Sequence, residues 1–133
     1  MKKYLLDTNI CIYFMKGKYG IDKRIEKVKQ KNCFISEITA AELLYGSYHS
    51  NNPDKHVTDT KKFLSFFAIL PIFSSLETFA IQKSKLTNKG VIIDNFDLLI
   101  GATAIHHGMI MVTENVKHLS RLEGVVVENW VEK

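Results

Sequence analysis

The first seventeen residues, MKKYLLDTNICIYFMKG (1–17), contain the pattern on which the fold assignment depends. The apolar run at 3–6 predicts a short strand, and 8–15 predict a short helix. Between them stands Asp7, an acid that directly follows a hydrophobic run and has no arginine beside it. In an open α/β sheet, the carboxyl end of a strand is the edge at which ligands bind. Asp7 is therefore predicted to lie at a functional edge of a sheet.

Strands and helices continue to alternate through the rest of the chain. Further strands are predicted at 33–36 (CFIS), 70–73 (LPIF), 109–113 (MIMVT) and 125–129 (VVVEN), with a short extended piece at 91–93. Further helices are predicted at 21–30, 38–50, 56–69, 76–89 and 95–107. Strands separated by helices indicate βαβ units and a mainly parallel sheet. Near-continuous apolar strands such as MIMV are typical of a sheet that is covered on both faces.

Length and composition favour one globular α/β domain that spans 1–133. Hydrophobic residues make up 46% and charged residues 24% of the 133 residues, which is ordinary globular usage. The net charge of +4 comes largely from 16–31, where seven Lys or Arg residues stand against Asp22 and Glu26. A basic stripe of this kind attracts phosphate backbones, although a solvated helix face has the same composition.

The two cysteines indicate a reducing compartment. Cys11 and Cys33 both lie inside apolar runs, so free buried thiols are expected rather than a disulfide. No signal peptide is recognisable, and no apolar stretch is long enough to span a membrane. A cytoplasmic location is the expectation that follows.

Three acids stand alone in apolar surroundings. Besides Asp7, these are Glu42, the only charge in ITAAELLYG, and Asp97, the only charge in FDLLIGATAI. No basic residue lies within one helical turn of Glu42 or Asp97, so a local ion pair cannot form. A buried carboxylate must be paired, neutralised or bound to a metal.

Helix capping is the alternative explanation for each acid taken singly. Thr39 and Glu42 have the spacing of a capping box, Asp94 and Asp97 have the same spacing, and Asp7 precedes a helix. Capping alone does not explain why three acids in a basic protein all fall on the same predicted sheet edge. Their convergence favours a site for Mg²⁺ or Mn²⁺, which prefer oxygen ligands.

Such ions suit the hydrolysis of phosphodiesters, because they activate a water and stabilise charge at the phosphate. A basic surface beside an acidic metal site therefore indicates a nuclease. The trio Thr113, Glu114 and Asn115 follows the strand MIMV and is expected at the same edge. Asn115 would orient a water or a carboxylate, and Glu114 would face solvent. A simple turn explains this trio equally well.

The ordered motifs LLDTNI (5–10), ITAAELLYG (38–46), DNFDLLIGATAIHHG (94–108), MIMVTEN (109–115) and VVVENW (125–130) resemble the PIN-domain ribonucleases. More closely, they resemble the VapC-type toxins of bacterial toxin–antitoxin pairs. The similarity covers nearly the whole chain. It implies a three-layer α/β/α sandwich and endonucleolytic cleavage of RNA that depends on Mg²⁺ or Mn²⁺ and leaves a 5′-phosphate and a 3′-hydroxyl.

The resemblance also assigns roles and partners. The catalytic, metal-binding acids of the family fall on Asp7, Glu42 and Asp97. The positions that support them fall on the following residues: Asn115, Thr113, Thr8, Asn9 and Thr39. Asp94 is an acid where the family often has Gly or another small residue, and it is expected either to cap its helix or to add charge near the metals. The family further implies a homodimer and a small VapB-like antitoxin whose C-terminal tail enters the active site. One departure is Gly101, which stands where alanine is usual and would mildly weaken its helix.

Two other classes of function are considered. A PIN fold with weak catalysis would serve as a module that binds RNA or a partner protein, although the presence of all three acids argues against it. A receiver-like signalling domain needs a phosphorylatable Asp after the third strand, and none follows LPIF. The predicted function is therefore a metal-dependent endoribonuclease toxin acting on a tRNA or rRNA loop.

Overall fold

The computed structural model describes all residues from 1 to 133. Five short strands form a single sheet: β1 Tyr4–Leu6, β2 Cys33–Ser36, β3 Ala68–Leu70, β4 Ile110–Val112 and β5 Val126–Glu128. Their order across the sheet is β3-β2-β1-β4-β5, and every neighbouring pair is parallel. The chain builds outward from β1 in one direction and then crosses to its other side. The switch point therefore lies between the carboxyl ends of β1 and β4.

Seven α-helices connect and cover these strands. They are α1 Thr8–Met15, α2 Ile21–Val28, α3 Glu37–Tyr48, α4 Pro53–Leu64, α5 Leu76–Asn88, α6 Asn95–His107 and α7 Val116–Leu119. Single 3₁₀ turns occupy Gln30–Asn32 and Phe73–Ser75. The predicted α/β fold with a parallel central sheet is confirmed. No helix is long and apolar enough to cross a membrane.

The sheet is buried on both faces, as its apolar strands predicted. Side chains alternate along a strand, so Tyr4 and Leu6 pack into one hydrophobic cluster while Leu5 packs into the other. Val112 and Met111 divide between the two clusters in the same way. The first cluster lies under α1 to α4, and the second lies under α5 and α6. This double covering holds the carboxyl ends of β1 and β4 in fixed relative positions.

The third strand is displaced from its predicted place. The helix predicted at 56–69 begins earlier, at Pro53, and ends at Leu64, while β3 occupies Ala68–Leu70 rather than 70–73. Pairing with β2 explains the shift, because residues 68 to 70 lie opposite residues 34 to 36 in the parallel ladder. Pro71 has no backbone N–H and ends the strand. Tertiary pairing here outweighs the helical pattern of the Phe-rich segment.

Smaller departures concern the connections. The predicted helix at 21–30 stops at Val28, because Lys29 takes a positive φ of 82°. Ser75 stands at the N-terminus of α5 but makes no capping hydrogen bond. The piece at 91–93 joins no strand, and the short helix α7 was not predicted. Both cysteines are free and buried, as expected.

Helix α6 has the boundaries that the sequence predicted. Asp94 caps its first turn, and Gly108 closes it with a left-handed φ of 65°. Within this helix, Gly101 packs directly against Leu122, so a Cβ at this position would overlap the leucine side chain. The expectation that glycine merely weakens the helix is therefore incomplete. Its lack of a side chain allows α6 to approach the connection that precedes β5.

Candidate functional site

Asp7 lies at the switch point of the sheet, directly after β1. Its backbone N–H donates to the carbonyl of Val112 at 2.9 Å, which ties it to the end of β4. Its side chain is 5% exposed. Oδ1 accepts a hydrogen bond from the backbone N–H of Thr8 at 2.8 Å, and Oδ2 accepts one from the Thr113 hydroxyl at 2.8 Å. Asp7 is therefore both the N-cap of α1 and a buried carboxylate of the candidate site.

Burial raises the pKa of Asp7, against the opposing effect of these two hydrogen bonds. No cation compensates the charge, since Asp7 takes part in none of the salt bridges of the molecule. The fold therefore holds this carboxylate in place by hydroxyl and amide donors while leaving its charge unbalanced.

Glu42 lies in the interior of α3, so the alternative explanation that it belongs to a capping box is wrong. The helix begins at Glu37, and its cap is Ser36, whose hydroxyl accepts a hydrogen bond from the N–H of Ile38 at 3.0 Å. Thr39 and Glu42 therefore lie past the N-cap, one turn apart on a single helix face. Sequence spacing alone did not reveal that the serine ending β2 starts the helix.

Thr8 connects α1 to this face of α3. Its hydroxyl lies 2.6 Å from Oε1 of Glu42 and 3.1 Å from the hydroxyl of Thr39. Because a hydroxyl has one proton and a carboxylate accepts only, Thr8 donates to Glu42 and Thr39 supplies the proton of the second bond. Thr39 is fully buried, so this pair of hydroxyls fixes the half-buried Glu42 carboxylate relative to α1. The supporting roles predicted for Thr8 and Thr39 agree with these contacts.

Asp97 occupies the first turn of α6 and is half-buried. Asp94 supplies the cap, because its Oδ2 accepts from the N–H groups of Phe96 at 3.1 Å and of Asp97 at 3.4 Å. No group of the protein donates a hydrogen bond to the Asp97 carboxylate. Burial raises its pKa to about 6, with further contributions from the charges of Asp7, Asp94 and Glu42. These four carboxylates therefore act on one another electrostatically, although they come from separate parts of the chain.

The remaining predicted positions divide into two groups. Asn115 is linked to the site through Thr113, whose hydroxyl accepts a hydrogen bond from the Asn115 N–H at 2.9 Å. The side-chain oxygen of Asn115 lies 2.7 Å from the ring of His118, so its amide is engaged away from the acids. Asn9 is exposed and makes no hydrogen bond to any of the acids. The structure thus brings Asn115 near the site but gives Asn9 no supporting contact.

Glu114 does not face solvent freely, contrary to the sequence expectation. Oε1 accepts a hydrogen bond from the Tyr13 hydroxyl at 2.6 Å, and Oε2 lies 2.9 Å from Nζ of Lys133. The hydrogen bond from Tyr13 and then that from Lys133 lower the pKa of Glu114. Tyr13 and Lys133 are far from Glu114 in sequence, so no local pattern could have revealed these contacts.

The donor set of the site fits a hard divalent cation. Its side chains offer carboxylate and hydroxyl oxygens, and Mg²⁺ is commonly held by one or two carboxylates while it keeps several waters. No three His, Cys, Asp or Glu side chains stand together in an arrangement ready to hold a metal ion. The carboxylates repel one another, and those of Asp7 and Glu42 are held by hydroxyl donors. The fit is therefore to an ion with few direct protein ligands.

A groove of about 760 Å³ reaches the site at one of its acids, Glu42. It lies between α1, α3 and α4, and Glu42 forms part of its wall. Phe63 and Phe66 supply apolar surface, while Lys16 and Lys55 supply positive charge. The groove is thus suited to an extended or helical segment that carries both apolar and acidic side chains.

Comparisons with known proteins match nearly the whole chain to one family. The family model of the PIN domain matches residues 4–124. The tRNA(fMet)-specific endonuclease VapC of Shigella flexneri is 31% identical over 131 residues, which cover 98% of this chain and 99% of that protein. Ribonuclease VapC2 of Haemophilus influenzae is 36% identical over 133 residues, with coverages of 98% and 100%.

Similarity to solved structures extends over the same length. In the crystal structure of DNA-bound VapBC from Salmonella typhimurium, a matching chain has a TM-score of 0.91 and 29% identity, with coverages of 98% of this chain and 99% of that one. The fold and the chain length therefore agree with the same group of proteins.

Proposed function

The chain belongs to the PIN-domain family, among its VapC-type ribonuclease toxins, and from that premise we propose that it is a divalent-metal-dependent endoribonuclease. It would hydrolyse RNA phosphodiester bonds and leave a 5′-phosphate and a 3′-hydroxyl. Asp7, Glu42 and Asp97 would hold Mg²⁺ or Mn²⁺, some of them through bound water. When present, such an ion supplies an activated water and offsets charge at the phosphate.

One observation carries this proposal: Asp97 has a pKa of about 6, raised by burial and by three neighbouring carboxylates, with no cation near enough to pair with any of them. An arrangement of this kind is unfavourable without a bound cation, because like charges in a partly buried site repel. Perturbed acids in such a site are typical of catalytic centres. The paired surface acids elsewhere in the molecule show no such arrangement.

The chain's own residues would perform distinct parts of the work. Asp7 is immobilised by the Thr8 amide and the Thr113 hydroxyl, so it presents a fixed carboxylate. Glu42 accepts a hydrogen bond from the Thr8 hydroxyl, which holds its carboxylate in place relative to α1. Asp97 accepts no hydrogen bond from the protein, so both of its carboxylate oxygens are free for a cation or a water. Asp94 adds negative charge while it caps α6.

The basic stripe at 16–31 supports RNA as the substrate. Six of its seven Lys and Arg residues are exposed, and the exception, Arg24, lies 3.7 Å from Glu128. Lys16 lies on the groove that also contains Glu42, which places positive charge beside the acids. Phosphate groups would be attracted to this border. We propose a tRNA or rRNA loop as the target, because single-stranded loops expose the backbone to an edge of this shape.

An antitoxin partner is supported by the groove and by the structural relatives. VapBC complexes are described as toxin–antitoxin systems, and the matching chains come from such complexes. We propose that a VapB-like antitoxin lies along Phe63 and Phe66 and that its tail reaches the acids. A homodimer is proposed as well. It is supported by large exposed side chains on the opposite layer, including Phe73 and Phe96.

The test is cleavage of total bacterial RNA by purified, antitoxin-free protein with Mg²⁺, Mn²⁺ or EDTA, followed by sequencing of the fragment ends. We expect cuts that require the metal and disappear in Asp7→Asn, because asparagine keeps the helix cap but lacks the charge. Equal thermal stability of the variant would show that the fold is retained. Absence of cleavage with either metal, together with metal-independent RNA binding, would replace the nuclease with a binding module.

A further inference from the structure

Glu114 stands between two residues that reach the candidate site. Thr113 precedes it and donates its hydroxyl to Asp7 at 2.8 Å. Asn115 follows it and donates its backbone N–H to the Thr113 hydroxyl at 2.9 Å. Any rotation of the Glu114 backbone would therefore move the donor that fixes the Asp7 carboxylate.

The Glu114 side chain is held on both of its oxygens. Tyr13, on α1, donates to Oε1 at 2.6 Å, and Lys133 contacts Oε2 at 2.9 Å. Both bonds involve the ionised carboxylate, and charge-assisted bonds of this kind are stronger than neutral ones. The side chain of Glu114 is thereby held by two partners that are distant from it in sequence.

Tyr19 joins the two partners of Glu114 to each other. Its ring packs edge-on against Tyr13, with ring centroids 4.7 Å apart, and Nζ of Lys133 lies 5.4 Å from its centroid. The backbone carbonyl of Tyr19 also accepts from the N–H of Glu132 at 3.3 Å. Tyr19 has a positive φ of 59°, which is uncommon for a bulky residue and indicates that its surroundings fix it.

These contacts close a ring around the site. Asp7 is the cap of α1, and Tyr13 lies on the same helix. From Tyr13 the path runs through Glu114 to Thr113, and from Thr113 back to the Asp7 carboxylate. Every step is a covalent connection or a hydrogen bond below 3 Å. A ring of this kind restrains the Asp7 carboxylate relative to the end of β4.

We propose that Glu114, held by Tyr13 and Lys133, is a positioning residue that sets the orientation of the Asp7 carboxylate through Thr113. This inference rests on the proposed nuclease function. Glu114 does not touch the reacting atoms. Its effect is to keep the Thr113 hydroxyl pointed at Oδ2, so that the Asp7 carboxylate keeps one orientation between Thr113 and the Thr8 amide.

The test compares Glu114→Ala, Glu114→Gln and Tyr13→Phe. Glutamine retains an acceptor for Tyr13, so its effect should be smaller than that of alanine, while phenylalanine removes only the hydroxyl and keeps the ring against Tyr19. We expect kcat at saturating RNA to fall about tenfold in Glu114→Ala with little change in KM, within the ~100-fold that a displacement of ~1 Å can cost. Combining Tyr13→Phe with Glu114→Ala should add little, because both break the same link.

A second measurement reports on metal binding without catalysis. The rise in Tm on adding Mn²⁺ alone should be smaller in Glu114→Ala than in the wild type at equal concentrations. Asn129→Ala is the matched control, because it removes a hydrogen bond from the same terminal segment, to the N–H of Val131, without touching Glu114. It should leave both kcat and the Mn²⁺ effect unchanged.

The possible outcomes separate this inference from the function on which it rests. Wild-type protein that cuts no RNA would contradict the nuclease, and the Mn²⁺ effect would still decide whether Glu114 positions Asp7. Active wild-type protein with normal kcat and a normal Mn²⁺ effect in Glu114→Ala would overturn the positioning role. A lowered Tm with unchanged kcat would show that Glu114 only anchors the terminal segment.

Discussion

Glu123 and Asp97 are both acids on the side of the sheet covered by α5 and α6, yet their surroundings shift their pKa values in opposite directions. Glu123 lies 2.7 Å from Lys85 and 3.9 Å from Lys89, and the hydrogen bond from Lys85 lowers its pKa. Asp97 has no lysine or arginine partner, and burial together with neighbouring acids raises its pKa to about 6. One carboxylate is satisfied by the protein itself, and the other is not.

The difference teaches how to separate structural acids from functional ones. A paired acid such as Glu123, or Glu114 with Lys133, has its charge balanced within the chain. The acids at the switch point are held in position by hydroxyl and amide groups, which orient a carboxylate without neutralising it. Unbalanced charge in a fixed geometry is therefore a better indication of a cation site than the number of acids in a motif.

The largest expected effect is the difference between neutralising an acid of the candidate site and neutralising a paired surface acid. Glu42→Gln should reduce RNA cleavage at least about 100-fold, because losing a residue that only supports a metal ligand commonly costs about 10–100-fold and Glu42 would hold the ion itself. Glu123→Gln, the matched change at a paired acid, should alter cleavage less than about twofold, since surface pairs contribute little. Cleavage rates of a defined RNA at saturating Mn²⁺ measure both. Similar losses in the two variants would remove the distinction between the regions.

The next largest effect should be on the stabilisation of the folded protein by Mn²⁺. At a free Mn²⁺ concentration about 100 times the Kd, binding should stabilise the folded protein by about 2.7 kcal/mol. Asp97→Asn should lose most of this stabilisation. Lys85→Met, which removes the ion pair between Lys85 and Glu123, should keep it. Thermal unfolding with and without Mn²⁺, followed by circular dichroism, provides the measurement. An unchanged increase in Asp97→Asn would place the cation elsewhere.

A third test leaves every charge in place and shifts the helix that carries Asp97. In Gly101→Ala the new methyl group overlaps Leu122, so α6 or the leucine must move. Alanine favours a helix over glycine by about 1 kcal/mol, but overpacking commonly costs about 1–3 kcal/mol, so net destabilisation of about 1 kcal/mol is expected. Urea unfolding of the metal-free protein measures it. Leu122→Ala in the same background should relieve the overlap, and increased stability of Gly101→Ala alone would contradict the packing argument.

The smallest expected effect is a difference in pH dependence. The pKa of Asp97 rises from 3.8 in the unfolded chain to about 6 in the folded protein, so the folded form binds this proton more tightly. Its contribution to the free energy of unfolding is present at low pH and is lost as the pH rises through about 6. The pKa of Glu123 is lowered, so its contribution is lost as the pH falls.

Urea unfolding of metal-free protein between about pH 4 and pH 7 follows the contribution of Asp97, because this range covers its raised pKa, while Glu123, whose pKa is lowered, titrates at the acid end of the range or below it. Asp97→Asn should flatten the loss of stability toward neutral pH, while Glu123→Gln should leave that part of the profile unchanged. The effect is modest because Asp97 is only half-buried and solvent screens its charge. A steeper profile in Asp97→Asn would contradict the assigned shift.

The sequence predicted those features that depend on local pattern. Apolar runs gave four of the five strands within a residue or two, and isolated acids in apolar segments identified Asp7, Glu42 and Asp97. Parallel topology then placed these acids at one edge. The strand predictions succeeded because side-chain periodicity acts locally, whatever the rest of the fold does, while the metal-binding roles of the three acids stay predictions.

Features set by distant contacts were not predicted correctly. The register of β3 depends on pairing with β2, and the start of α3 depends on where β2 ends, so a capping box at Thr39 stayed an open alternative and Ser36 was not recognised as the cap. The bonds from Glu114 to Tyr13 and Lys133 join segments that only the tertiary structure brings together. The role of Asn9 came from family resemblance and that of Asn115 also from its place after the MIMV strand, and the geometry supports only a link between Asn115 and Thr113.

Asp7 begins a helix with the same side chain that it would offer to a cation, and this overlap separates activity from stability. Asparagine caps helices about as well as aspartate, and it carries no charge to repel the neighbouring acids. If Asp7 holds a cation as proposed, a single change at this position would remove a ligand of the ion while keeping the helix cap, so the loss of activity would leave no trace in the stability of the protein.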